Sequence, residues 1–113
     1  MRMIEKIIRD YLTMALSVPV YLERPASSPA SFVLLEKTGG SKTNHINYST
    51  FAFQSYGVSL YDAAALNVLV MAAVENLIEL PEICSVRLNS NYNFSNTARK
   101  EHRYQAVYEI THY

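Results

Sequence analysis

Three histidines, His45, His102 and His112, and one cysteine, Cys84, are the residues of this sequence best suited to hold a metal or attack a substrate. His102 and His112 stand ten residues apart on one strand-like stretch. That is roughly 30 Å when extended, too far to share an ion within one chain. Cys84 has no nucleophile signature around it, and a lone cysteine excludes an internal disulfide. It reads as a small buried hydrophobe just before a strand. Glu79 and Glu82 flank Pro81 at a helix end, where solvated charge explains the pair better than acid–base chemistry. Gly39-Gly40 lacks the GxxxxGK[ST] pattern and leads into a strand rather than a helix, which argues against a phosphate cradle. The one basic cluster, Arg99, Lys100, His102 and Arg103, lies beside Tyr92 and Phe94. Aromatics next to cations can stack on and neutralise single-stranded nucleic acid. Ten Lys and Arg against ten Asp and Glu leave no net charge, however, and a general polyanion binder needs a basic excess. A solvated strand entry or a protein contact is the better reading, with DNA contact at most incidental. A nucleic-acid-contacting accessory module using residues 92–103 is the alternative. No catalytic residue, cofactor or metal is assigned, and an enzyme is not expected.

The elements that must position these residues centre on 46–80. Ile46, Tyr48, Thr50, Phe51, Phe53 and Tyr56 make a strand dense in β-branched and aromatic residues, broken at Gly57. Ser59 then suits an N-cap, with Asp62 three residues on, and a helix runs to Leu80. One face of that helix is an apolar stripe of Ala63, Leu66, Val70, Ala73, Val74 and Leu77. The other carries Tyr61, Ala64, Val68, Met71 and Ala72 beside Glu75 and Glu79. A helix apolar nearly all round needs cover on both sides, so the Val68/Met71 side should meet the first helix or another subunit.

The remaining chain reads in order. Arg2–Leu16 is an amphipathic helix with Ile4, Ile7, Ile8, Tyr11, Leu12 and Ala15 on one side. Its polar side mixes signs, which favours a core helix over a membrane-surface one. Val18–Glu23 is a short strand that, because of Pro19, sits at an edge or begins at the proline, and Arg24–Ala30 is an exposed loop. Ser31–Thr38 forms a strand, Gly39-Gly40-Ser41 turns, and a hairpin with the long strand follows. Cys84–Asn89 is a strand, Ser90–Lys100 a loop, and Glu101–Tyr113 alternates as a strand. Tyr104, Ala106, Tyr108 and Ile110 point one way, and Arg103, Gln105, Val107, Glu109 and Thr111 the other, where the face holding Arg103, Gln105 and Glu109 should be solvated or at a wet interface. Gly39–His45 and Ser90–Lys100 hold few apolar anchors and should be the least ordered internal segments. No signal peptide fits, and no apolar run reaches membrane-spanning length.

The expectation is one α+β domain spanning 1–113, ordered α-β-β-β-α-β-β. Its mostly antiparallel sheet of four to five strands carries two helices packed on one face.

Four strings in this order, EKTGGS (Glu36–Ser41), FAFQSYG (Phe51–Gly57), SLYDAA (Ser59–Ala64) and RYQAVYEITHY (Arg103–Tyr113), carry a family resemblance. Together they resemble the small tail-terminator, tail-completion or head–tail joining proteins of tailed phages and prophages. The resemblance runs from about Val20 to the C-terminus. It implies an α+β subunit of a ring, typically a hexamer, that caps the tail tube and offers a surface to the head connector. The implied partners are further copies of itself, the major tail protein and the head–tail connector proteins, with no membrane. The implied location is the bacterial host cytoplasm during assembly and then the virion neck. The family brings no catalytic residues. Gly39, Gly40, Lys42, His45, Tyr61, Val68, Met71, Tyr92, Phe94, Arg99, Lys100 and Arg103 are the candidate interface residues.

Overall fold

Residues 3–27 and 29–113 are described by the computed structural model, so Arg2 of the first helix and Ser28 of the following loop lie outside the described residues. The order is α1 (Ile4–Ala15), β1 (Val20–Tyr21), β2 (Phe32–Thr43), β3 (Ile46–Gly57), α2 (Leu60–Glu75), β4 (Ile83–Asn93) and β5 (His102–His112). A 3-10 turn, Asn76–Glu79, continues α2 and carries the helical stretch almost to the expected Leu80. The five strands form one sheet ordered β1-β2-β3-β5-β4. All neighbours are antiparallel except β1 and β2, which makes the sheet mixed. The parallel pair is minimal: only Val20 and Tyr21 align with Val33 and Leu34, much less than the strand expected over 18–23. Pro19 begins this edge piece and lends its carbonyl to the Val33 amide at 3.0 Å.

The junction between β3 and α2 is set by contact. A Cβ on Gly57 would lie 2.5 Å from the Ala63 nitrogen, so no other residue fits there without moving backbone. Ser59 caps the helix as expected, its Oγ accepting from the Asp62 amide at 3.1 Å. α2 then runs back over the sheet and buries Ala63, Leu66, Val70, Ala73 and Val74. Phe51, Phe53, Ala106, Tyr108 and Ile110 meet it from below, all fully buried. Ile4, Ile8 and Leu12 of α1 join the same core. Each large apolar side chain so buried contributes about 1.5–3 kcal/mol. Leu60–Glu79 is in fact long and apolar enough to cross a membrane, with a mean hydropathy of 1.3. That corrects the expectation that no run reaches such length; in this fold its inner side covers the sheet.

Two segments expected to be irregular are strand. β2 does not turn at Gly39-Gly40-Ser41 but continues to Thr43, pairing with β3 as far as Thr43 against Ile46. The turn is made by Asn44 and His45, both at positive φ (50° and 67°). Two consecutive left-handed residues match the right-handed twist of a hairpin, and Asn tolerates that conformation. The glycines follow a bulge instead: register shifts between Lys37 and Gly39, leaving Thr38 as the extra residue. Likewise β4 extends through Asn93, so Ser90–Asn93 is paired rather than loop. Only 94–101 turns, closed by a bridge between Asn96 and Glu101, with Lys100 at φ 54°. Cys84 is half-buried within β4, where a second register shift falls, rather than buried ahead of the strand.

Candidate functional site

The alternation of β3 and β5 that feeds the core sends Gln54, Tyr56, Arg103 and Gln105 to the sheet's other face, which no helix among the described residues covers. These side chains cover each other. Tyr92 bonds to the Gln105 amide nitrogen, and the Gln105 Oε1 accepts from Gln54 Nε2 at 2.8 Å. Gln54 Oε1 accepts in turn from the Tyr56 hydroxyl at 3.2 Å, which itself accepts from Arg103 Nη1 at 2.8 Å. Arg103 Nε donates to the Phe94 carbonyl at 2.6 Å. Its guanidinium lies 4.5 Å from the centre of the Phe94 ring and 5.7 Å from that of Tyr56. Phe32 stacks on Tyr56 at 4.3 Å, and Arg24, from the 22–30 loop, sits over both rings. Arg24 is anchored by a two-pronged pair with Glu101. That pair holds the Glu101 carboxyl below its ordinary range.

Tyr92, Phe94 and Arg103, read from sequence as neighbours along the chain, are therefore brought together in space. Arg99 and Lys100 lie exposed on the adjoining turn. Arg24 and Arg103 are engaged by partners of their own chain. Gln54, Gln105, Tyr56, Phe32 and Arg24 were not singled out in the sequence. The outward strand positions of the two glutamines were legible, but a ladder between them needs the β3–β5 register. Gln105, expected on a solvated face or at a wet interface, is buried within the subunit through the bonds just described.

The other candidates lie elsewhere. Gly39, Gly40, Lys42 and His45 are exposed along the far end of the β2–β3 hairpin. Tyr61 is 81% and Val68 65% exposed, on the outer side of α2, while Met71 is half-buried against the core. The expectation that α1 covers the Val68 side does not hold within the subunit. α1 lies against the opposite flank, with the Tyr11 hydroxyl on the Asn76 carbonyl at 3.4 Å. On the Val68 flank Asn67 Nδ2 donates to Asn91 Oδ1 of β4 at 2.9 Å, so this flank overhangs β4.

Chemistry within the described residues is sparse. No group of three or more His, Cys, Asp or Glu side chains is arranged to hold a metal among them. Ser49 and His112 form a buried pair, Oγ to Nε2 2.9 Å, with Nδ1 3.2 Å from the Tyr113 carbonyl. A proton on Nδ1 for that carbonyl leaves Nε2 to accept from the serine. Burial pushes the His112 pKa down, against the pull of the Tyr113 carbonyl. Both side chains are nearly closed off from solvent, which suits a structural pair. Tyr108 is similar: its hydroxyl donates to Glu75 at 3.0 Å, and burial, then that carboxylate, raise its pKa. A scan against models of known protein families finds no match to this chain, and a search of curated proteins finds none either.

Proposed function

We propose that this chain is a structural subunit of the head–tail joining region of a phage or prophage, a tail terminator that assembles into a ring. In this reading the ring, a hexamer by the family resemblance, caps the tail tube and meets the head connector. Its partners are further copies of itself, the major tail protein and the connector proteins. It assembles in the bacterial cytoplasm and ends in the virion neck. One observation carries the assembly half of the reading: the outer side of α2 presents Tyr61, Val68 and Leu69 to solvent. Such a helical stripe is apolar surface that a monomer leaves wet and a neighbour can bury. A net charge of zero does nothing to keep copies apart. The position in the neck rests on the resemblance of EKTGGS, FAFQSYG, SLYDAA and RYQAVYEITHY alone.

The test is particle mass and negative-stain imaging of the purified chain, with and without Val68→Asp. The expected result is a ring for the parent and a smaller species for the variant. Because Val68 is exposed within the subunit, the substitution should weaken the fold of the dissociated chain by no more than an ordinary surface change, about 0.5 kcal/mol. A parent chain that stays monomeric at high concentration, or that is retained on DNA in a salt-dependent way, would overturn the reading. The tail-facing surface is assigned to the hairpin end, where Lys42 and His45 are exposed. Lys42→Glu with His45→Ser should leave the ring intact and yield tails of abnormal length.

A further inference from the structure

Two edges of the sheet are open, and they match. β1 covers β2 only at Val33 and Leu34, so among the described residues the outer backbone of β2 from Glu36 to Thr43 has no strand beside it. At the other side β4 is the last strand, open along its outer edge from Ile83 to Asn93. An exposed edge is a row of unpaired amides and carbonyls that another strand can complete. Proteins guard such edges with proline, short strands, lysines or bulges; neither of these stretches contains proline and both are long, while Lys37, Lys42 and Arg87 and the irregularities at Thr38 and Cys84 stand on them.

The register across the sheet puts the two edges at the same height. Lys42 aligns with Asn47, Asn47 with His112, and His112 with Ile83. Lys37 aligns with Phe51, Phe51 with Tyr108, and Tyr108 with Leu88. The open part of β2 is thus level with 83–88 of β4. Through three antiparallel steps β2 and β4 run in opposite directions. Subunits of a closed ring share one orientation to its axis, so β2 of one copy meets β4 of the next antiparallel without a sideways slide.

We infer that copies of this chain join edge to edge, residues 37–42 of β2 pairing with residues 83–88 of β4 on the next copy. The contact is heterologous, since two different edges meet, and repetition closes a ring or extends a filament. The main chain supplies the attraction, as in strand addition generally. The apolar flank of α2 at Val68 and Met71 overhangs β4, so a copy added on this edge also covers that flank. The two surfaces are then one continuous interface. This inference rests on the assembly reading above and says how the subunits are joined.

Cys84 lies between the levels of Ser41 and Lys42, which makes the pairing directly testable. Ser41→Cys and Lys42→Cys are made in turn, and each is treated with a mild oxidant. Expected is a reducible ladder that extends past the dimer for at least one of them, and its loss when Cys84→Ser is added. A ring by mass with no ladder from either position would overturn the edge pairing while leaving assembly standing. A product that stops at dimer, or a dimer band that survives Cys84→Ser, would also overturn it, because it reports contact between like edges. A monomer at every concentration would overturn both this inference and the assembly reading.

Discussion

The two faces of this sheet solve the same burial problem with different materials. On one, Phe51, Phe53, Tyr108 and Ile110 are dry because two helices lie over them. On the other, Gln54, Tyr56 and Gln105 are buried with no helix above, under one another and under two arginine side chains. Apolar cover is indifferent to direction, so the helix face tolerates variation in how its side chains interlock. The open face depends on donors meeting acceptors. Each of its members is replaceable only by something with the same hydrogen bonds.

The largest separation of the two should come from Phe53→Ala. It removes a fully buried ring between helix and sheet and should cost roughly 3–5 kcal/mol, seen as a large drop in denaturant midpoint. Gly57→Ala attacks the same face through the backbone: the new Cβ meets Ala63 nitrogen at 2.5 Å. A loss of about 1–3 kcal/mol is expected, and full stability would mean that α2 can pivot at its start. On the open face, Gln105→Leu keeps the bulk but strands the Gln54 amide, for about 1–3 kcal/mol. If this variant is as stable as the parent, the open face is held by burial alone and the contrast collapses. Arg24→Ala removes an ion pair at the rim and its stacking, and should cost no more than about 1 kcal/mol.

The gentlest probe is pH. His112 is held neutral by burial, its pKa below the ordinary 6.5, so it disfavours the protonated chain. Its contribution is present above the unfolded-state value and is lost as pH falls through the lower folded one. Melting temperature should therefore decline below about pH 6.5, and less steeply in His112→Gln. The carboxylates of Glu101 and Glu109, held low by Arg24 and by Asn89 with Arg87, act in a separate window below their ordinary 4.5. A flat profile from about pH 6.5 down to the carboxylate window would show that water reaches the imidazole.

Local signals determined much of this molecule. Ser59 before an apolar run sets the start of α2, as a serine oxygen there satisfies a helix amide that has no partner in its own turn. Strict alternation in 103–111 separates the core side of β5 from its outer side, because a strand's side chains point alternately to its two faces. The two-helix, five-strand α+β outline follows from such patterns. What they misread was length. Glycine pairs look like turns, yet Gly39 and Gly40 sit in a paired strand, because β3 extends far enough opposite them to supply hydrogen bonds. Ser90–Asn93 looks like loop until β5 stands beside it. The same holds for the cluster around Arg103. Its parts come from four places in the chain, Arg24, Phe32, 54–56 and 92–105, and only strand register brings them within bonding distance. A propensity is read within a few residues, whereas a pairing partner lies tens of residues away, so the tertiary fold alone decided where the strands stop and what the open face became.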